Sequence, residues 1–148
     1  MLERLLNELS AAGLAGMKVA PDGAFAVTFD DKITVNISHD PEIDMLTFFS
    51  RLGTVGPDRA SIIYPLLLEA NVLWAGTGGA TLGVMPQDRC VVLAYQERGD
   101  TMSSARFETL LRGLVDVAEF WMEQIQTYVP NPTGEAAAGE PPQDWLRI

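Results

Sequence analysis

Leu66-Leu-Leu-Glu-Ala-Asn-Val-Leu-Trp-Ala-Gly-Thr-Gly-Gly-Ala-Thr-Leu-Gly83 reads as a helix end, a glycine break and the entry to a strand. Upstream and within it, Ile62, Ile63, Leu66, Leu67, Ala70, Leu73 and Trp74 recur at helical spacing, and Gly76-Thr-Gly-Gly79 stops the pattern. A phosphate-cradling loop has the opposite sense: it follows a strand and opens a helix, whose N-terminus supplies the positive dipole end. This loop follows a helix and has no Gly-Lys-Ser/Thr lysine. The spacing therefore predicts a helix C-cap leading tightly into a strand.

Before this stretch, Gly56-Pro57-Asp58 opens the same helix, with Asp58 as expected N-cap, and Pro65 should kink or split it near Tyr64. Leu2, Leu5, Leu6 and Leu9 form one stripe of a first helix that stops at Gly13. Met17 to Ala20 is a short extended piece before the Pro21-Asp22-Gly23 turn. Phe25, Val27 and Phe29 alternate with smaller residues, and Ile33, Val35 and Ile37 alternate with polar ones across Asp30-Asp31, an antiparallel hairpin. Met45 to Leu52 is a third strand. After the glycine break, Ala80–Val84 and Arg89–Tyr95 are two more, and a long helix from Ser103 or Ser104 runs to Tyr128. The order α-β-β-β-α-β-β-α, with runs of adjacent strands, predicts an α+β domain on an antiparallel sheet. We divide the chain into that domain, residues 1–129, and a Pro/Gly/Ala-rich tail, residues 130–148, whose composition predicts disorder.

The 148 residues carry 20 acidic against 10 basic side chains, a formal charge of −10, which disfavours nucleic acid and anionic membrane surfaces as partners. The charged, amphipathic N-terminus does not read as a signal peptide, and no apolar run approaches the roughly 18 residues of a membrane span. Cys90 and His39 are the only residues of their kinds, so no disulfide set, zinc finger or Cys-x-x-Cys pair can form. Cys90 reads as a small core residue in a strand, and His39 as part of a loop. Asp40, Glu42 and Asp44 lack the glycine and terminal glutamate of a calcium loop, and Asp116, Glu119 and Glu123 fall on the wet face of the last helix. With no Ser–His–Asp order and no GxSxG elbow, nothing in the chain reads as catalytic, and neither metal nor cofactor is expected.

Surplus apolar surface is the more informative feature, together with a mean hydropathy of +0.10. Phe48 and Phe49 are adjacent in a strand, so their side chains leave opposite faces. Leu46, Phe48 and Leu52 fill one face, Met45 and Phe49 the other, and one helix layer covers only one. The second helix, another subunit or a client must cover the remainder.

The 66–83 segment closely resembles the most recognisable part of the Tir-chaperone (CesT-type) family, the class I type III secretion chaperones. In that family a Leu-Leu-x-Ala-Asn-x-x-Trp/Phe helix end runs through a Thr-Gly-Gly-Ala-like stretch into a strand. The closing helix, Phe107-x-x-x-Leu111-x-x-Leu114-Val-Asp-x-Ala-Glu-x-Trp121, is similar to theirs. The departures are Pro65 and the tail. The resemblance implies a non-enzymatic, cytoplasmic bacterial homodimer. Such a protein holds the N-terminal region of a secreted effector extended and soluble, and helps deliver it to the secretion ATPase. Candidate effector contacts are Leu2, Leu5, Leu6, Leu9, Leu46, Phe48 and Val92; candidate dimer contacts are Leu66, Ala70, Trp74 and Leu82. Two other readings stay open: a ligand-binding domain using the Gly76–Gly83 loop, and an adaptor for a folded partner.

Overall fold

A computed structural model describes residues 2–11, 17–19 and 24–130. Gly13 and the tail beyond Pro130 lie outside the described residues. Three helices, α1 (Leu2–Ala11), α2 (Pro57–Asn71) and α3 (Ser104–Thr127), accompany strands β1 (Met17–Val19), β2 (Phe25–Phe29), β3 (Ile33–Asp40), β4 (Met45–Thr54), β5 (Thr81–Val84) and β6 (Cys90–Arg98). The strands form one antiparallel sheet in the order β1-β2-β3-β4-β6-β5. This is the expected α+β architecture, with the short extended piece at Met17 recruited as an added edge strand.

Local chemistry explains the elements. Asp30 and Asp31 both take positive φ (51° and 53°), and Lys32 N–H closes the turn onto Phe29 O at 3.0 Å. Such a turn matches the twist of a hairpin, and aspartate tolerates it better than most residues. Ser103 caps α3 by accepting from Arg106 N–H at 3.1 Å. At the other end, Arg59 donates to Ile125 O and Tyr128 O, both at 3.0 Å through Nη2, placing a cation on carbonyls the helix leaves orphaned.

Three local expectations change. The N-cap of α2 is Gly56, with Pro57 at the first helical position and Asp58 in the first turn, where it faces the positive dipole end without capping. Helix α2 also runs through Pro65 without splitting. Pro65 and Ser61, whose carbonyl loses its partner, are both exposed, so water can satisfy it. His39 is not in a loop: β3 continues to Asp40, and His39 Nε2 meets Asp44 Oδ1 at 2.9 Å.

One contiguous core holds the buried leucines of α1, the buried face of α2, nearly the whole inner face of α3 and the side chains of a single sheet face. That face is set by register: Val27 opposite Val35, Ile37 opposite Phe48, Phe48 opposite Tyr95, Leu82 opposite Leu93. Phe48 stacks at a tilt on Phe107 of α3, centroids 5.8 Å apart. Ser50, buried in this face, donates to Thr34 O at 2.9 Å.

At the far end of the same face Glu97 receives a fork from Arg106, Nη2 to Oε2 at 2.6 Å and Nε to Oε1 at 2.9 Å, and a third bond from Tyr95 OH at 2.9 Å. The Arg106 bond holds the Glu97 carboxyl below its usual range against the opposing effect of burial. A carboxylate with a depressed folded value stabilises the fold above its unfolded pKa of about 4.3, and that stability is lost as pH falls through the folded value. The melting temperature should therefore fall between about pH 5 and pH 3. In Arg106→Met only the Tyr95 hydroxyl still opposes burial at Glu97, so neutral-pH stability drops and the acid fall shrinks; a pH series of thermal melts checks both. Asp88 and Asp100, also held low by their partners, keep some of the fall in place.

Candidate binding surfaces and family

Asn71, the last residue of α2, places its carboxamide against β5: Oδ1 accepts from Leu82 N–H at 2.9 Å and Nδ2 donates to Leu82 O at 2.8 Å. Those are backbone groups of an edge strand, so one side chain does there what a further strand would do. The chain then turns sharply. Leu73 and Trp74 take positive φ (51° and 57°), a costly conformation for such residues. Gly76 N–H returns to Ala70 O at 2.9 Å, and Gly76 O accepts from Trp121 Nε1 at 2.8 Å. A Cβ on Gly76 would stand 2.7 Å from Ala70 Cβ and 2.9 Å from its Cα, so only glycine fits. Both backbone polar groups of Gly76 are used internally, which argues against a phosphate-cradling role for this loop.

Asn71→Ala should leave two backbone groups of the β5 edge unpaired and lower stability by about 1–3 kcal/mol. The measurement is urea unfolding: the midpoint should drop with an unchanged slope.

Among the described residues no helix covers the opposite face of the sheet. Thr28, Thr34, Asn36, Ser38, Met45, Thr47, Phe49, Val92 and Ala94 project there and none is buried; Cys90, beside the β5–β6 hairpin, is. Phe49 remains 37% exposed next to a Phe48 with no exposure at all. The two edges also differ. Asn71 closes β5, whereas β1 has β2 on one side and no strand on the other among the described residues.

The sequence-derived candidates distribute unevenly over this geometry. Leu2, Leu5, Leu6, Leu9, Leu46 and Phe48 are buried in the core of the chain itself, and only Val92 lies half-exposed on the bare face. Of the candidate dimer contacts, Leu66, Ala70 and Leu82 are likewise buried, and Trp74 is 55% exposed. Leu73 and Trp74 were expected in the buried stripe of α2, but the helix ends at Asn71 and the left-handed turn carries both to the surface. Sequence reading passed over Leu68 and Val72, both exposed at the end of α2. The available signal was that these apolar residues fall off the helical stripe.

An antiparallel sheet with three helices feeding one core is a fold shared with solved type III secretion chaperones. The chain belongs to the Tir chaperone protein (CesT) family, whose model matches residues 4–122. Solved structures share the fold. The ExsC–ExsE complex is 24% identical at a TM-score of 0.69, covering 86% of this chain and 96% of that one. The Yersinia pestis type III secretion chaperone SycH, solved with a fragment of YscM2, is 24% identical at a TM-score of 0.59, covering 78% and 95%. YbjN of E. coli, described as a putative transcription regulator, is 13% identical at a TM-score of 0.61, covering 84% and 90%. The fold alone thus serves more than one kind of protein, and the family match makes the choice. No curated protein sequence matches the chain.

Proposed function

We propose that this protein is a cytoplasmic, non-enzymatic chaperone of type III secretion that binds an extended N-terminal segment of a secreted effector as a homodimer. Two family-level expectations belong with it: the client is kept soluble and secretion-competent, and the loaded complex is handed to the secretion ATPase. No helix among the described residues is long and apolar enough to cross a membrane, in keeping with this setting. The structural observation that carries the binding mode is the difference between the two sheet edges. An extended segment can add as a strand only where backbone groups face outward without a partner. Asn71 removes that possibility at β5, so one client stretch joins β1 as a strand, and a separate stretch of the client crosses the other sheet face at Met45, Phe49 and Val92. The six buried candidates keep a supporting role, holding the sheet from behind.

The test uses a client fragment that is unfolded when alone, mixed with the chaperone without ATP. Retention on size exclusion, with deuterium-exchange protection gained in 17–19 and β2, is expected. If only folded partners are retained, the chain is an adaptor and the chaperone reading fails; protection confined to other elements moves the binding site and leaves the function standing.

A further inference from the structure

Strand β5 is shorter than the strand it pairs with. Its first residue, Thr81, stands opposite Ala94, while β6 runs on to Arg98 against Met45 of β4. Backbone polar groups point alternately to the two sides of an antiparallel strand. Met85 N–H donates to Cys90 O at 2.8 Å, so the even-numbered residues of β6 face the β5 side. Gly99 N–H donates to Asp44 O at 2.9 Å, so the odd-numbered ones face the β4 side. Beyond Ala94 the even residues are Gln96 and Arg98, both exposed. Thr101 Oγ1 donates to Arg98 O at 3.1 Å. Gln96 N–H, Gln96 O and Arg98 N–H are left facing outward with no strand opposite them among the described residues. The Asn71 seal does not reach this far, because it engages the outward groups of Leu82 on β5.

A hollow of about 380 Å³ opens beside this edge, lined by Gly79, Thr81, Ala94, Tyr95 and Gln96. Gly79 takes φ 111°, where a side chain is rarely tolerated, so no Cβ fills the space as the chain enters β5. Gln96 turns its carboxamide onto Thr47 Oγ1 at 2.9 Å, toward β4 and away from the edge. None of the five lining residues is charged. A hollow at the small end of the range for ligand sites has room for one bulky side chain. Recognition of an extended segment needs both parts: ladder bonds hold the main chain, and a pocket beside them selects a side chain.

We infer that the Gln96–Arg98 edge of β6 takes a short extended stretch of the client, with one large apolar side chain of that stretch in the hollow at Gly79, Thr81 and Ala94. The inference rests on the chaperone reading above and adds to it a site separate from the β1 edge. Continuity with the helix-free face names the occupant. Ala94 stands opposite Phe49, the exposed phenylalanine of that face. A client chain leaving Phe49 meets the edge two strand spacings on, about 10 Å, the span of three extended residues.

The experiment uses the full chain and an effector N-terminal fragment that is unfolded when alone, and reads single-amide hydrogen exchange by NMR. In the free chaperone the amides of Gln96 and Arg98 should exchange like loop amides; in the complex each should slow at least about 10-fold. Three variants locate the contact, with circular dichroism on each. Gln96→Pro removes the outward N–H without touching the β4 ladder, and Thr81→Phe fills the hollow from an exposed position. Gln96→Ala removes only the side chain. The first two should raise the Kd for the fragment at least about 10-fold, and Gln96→Ala should bind as wild type does. If Gln96→Pro does not fold, the exchange rates and Thr81→Phe decide. A wild type that retains no unfolded fragment overturns the chaperone reading and this site with it. A fragment that binds while both amides keep their free rates, or that binds Gln96→Pro and Thr81→Phe as tightly as wild type, overturns this site alone. Protection of both amides before the fragment is added does so too, because another part of this chain or a second copy then already occupies the edge.

Discussion

Phe48→Asp will not fold. Phe48 has no exposure, packs on Phe107 and sits between Ile37 and Tyr95 in register. Removing a buried phenylalanine costs about 3–5 kcal/mol, and a carboxylate buried without a partner adds several more. That is comparable to the roughly 5–15 kcal/mol total stability of a domain. Far-UV circular dichroism should show loss of the native spectrum. One residue along, Phe49→Asp should fold, because its side chain leaves the other face and is 37% exposed. Its cost should be within about 1 kcal/mol, and its effect should be on client retention. A folded Phe48→Asp protein would show that the helix layer does not close over this face.

The second large effect is at Trp121, which is 2% exposed, meets Phe120 edge-on at 5.3 Å and donates to Gly76 O. Trp121→Ala should lower stability by about 3–5 kcal/mol, a drop in Tm of roughly 10 °C or more for a chain of this size. Trp121→Phe keeps much of the packing and leaves Gly76 O unpaired, so about 1–3 kcal/mol is expected. Differential scanning calorimetry separates the two, and near-equal losses would mean that the indole hydrogen bond, rather than the volume, holds the loop.

Adjacent phenylalanines show how the candidate site divided between sequence and structure. Alternation alone placed Phe48 with Leu46 and Leu52 and put Phe49 with Met45 on the reverse, and the register agrees. Alternation says which residues share a face; it does not say which face the helices take. The leucines of α1 illustrate the same limit. Their stripe was legible, yet a stripe that packs on its own α3 and one that waits for a partner have the same periodicity.

Element order, sheet class and the helix-break-strand motif were determined by the sequence, because spacing, glycine and turn chemistry are local and act on the chain wherever it goes. The tertiary structure alone decided that α2 ends three residues short of its apolar stripe, that Asn71 seals an edge strand, and that Trp74 faces outward. Each of those depends on groups distant in the chain, Leu82 for the asparagine and Trp121 for the glycine, meeting at hydrogen-bond distance. Such meetings leave no period in the sequence, because a single long-range contact fixes them.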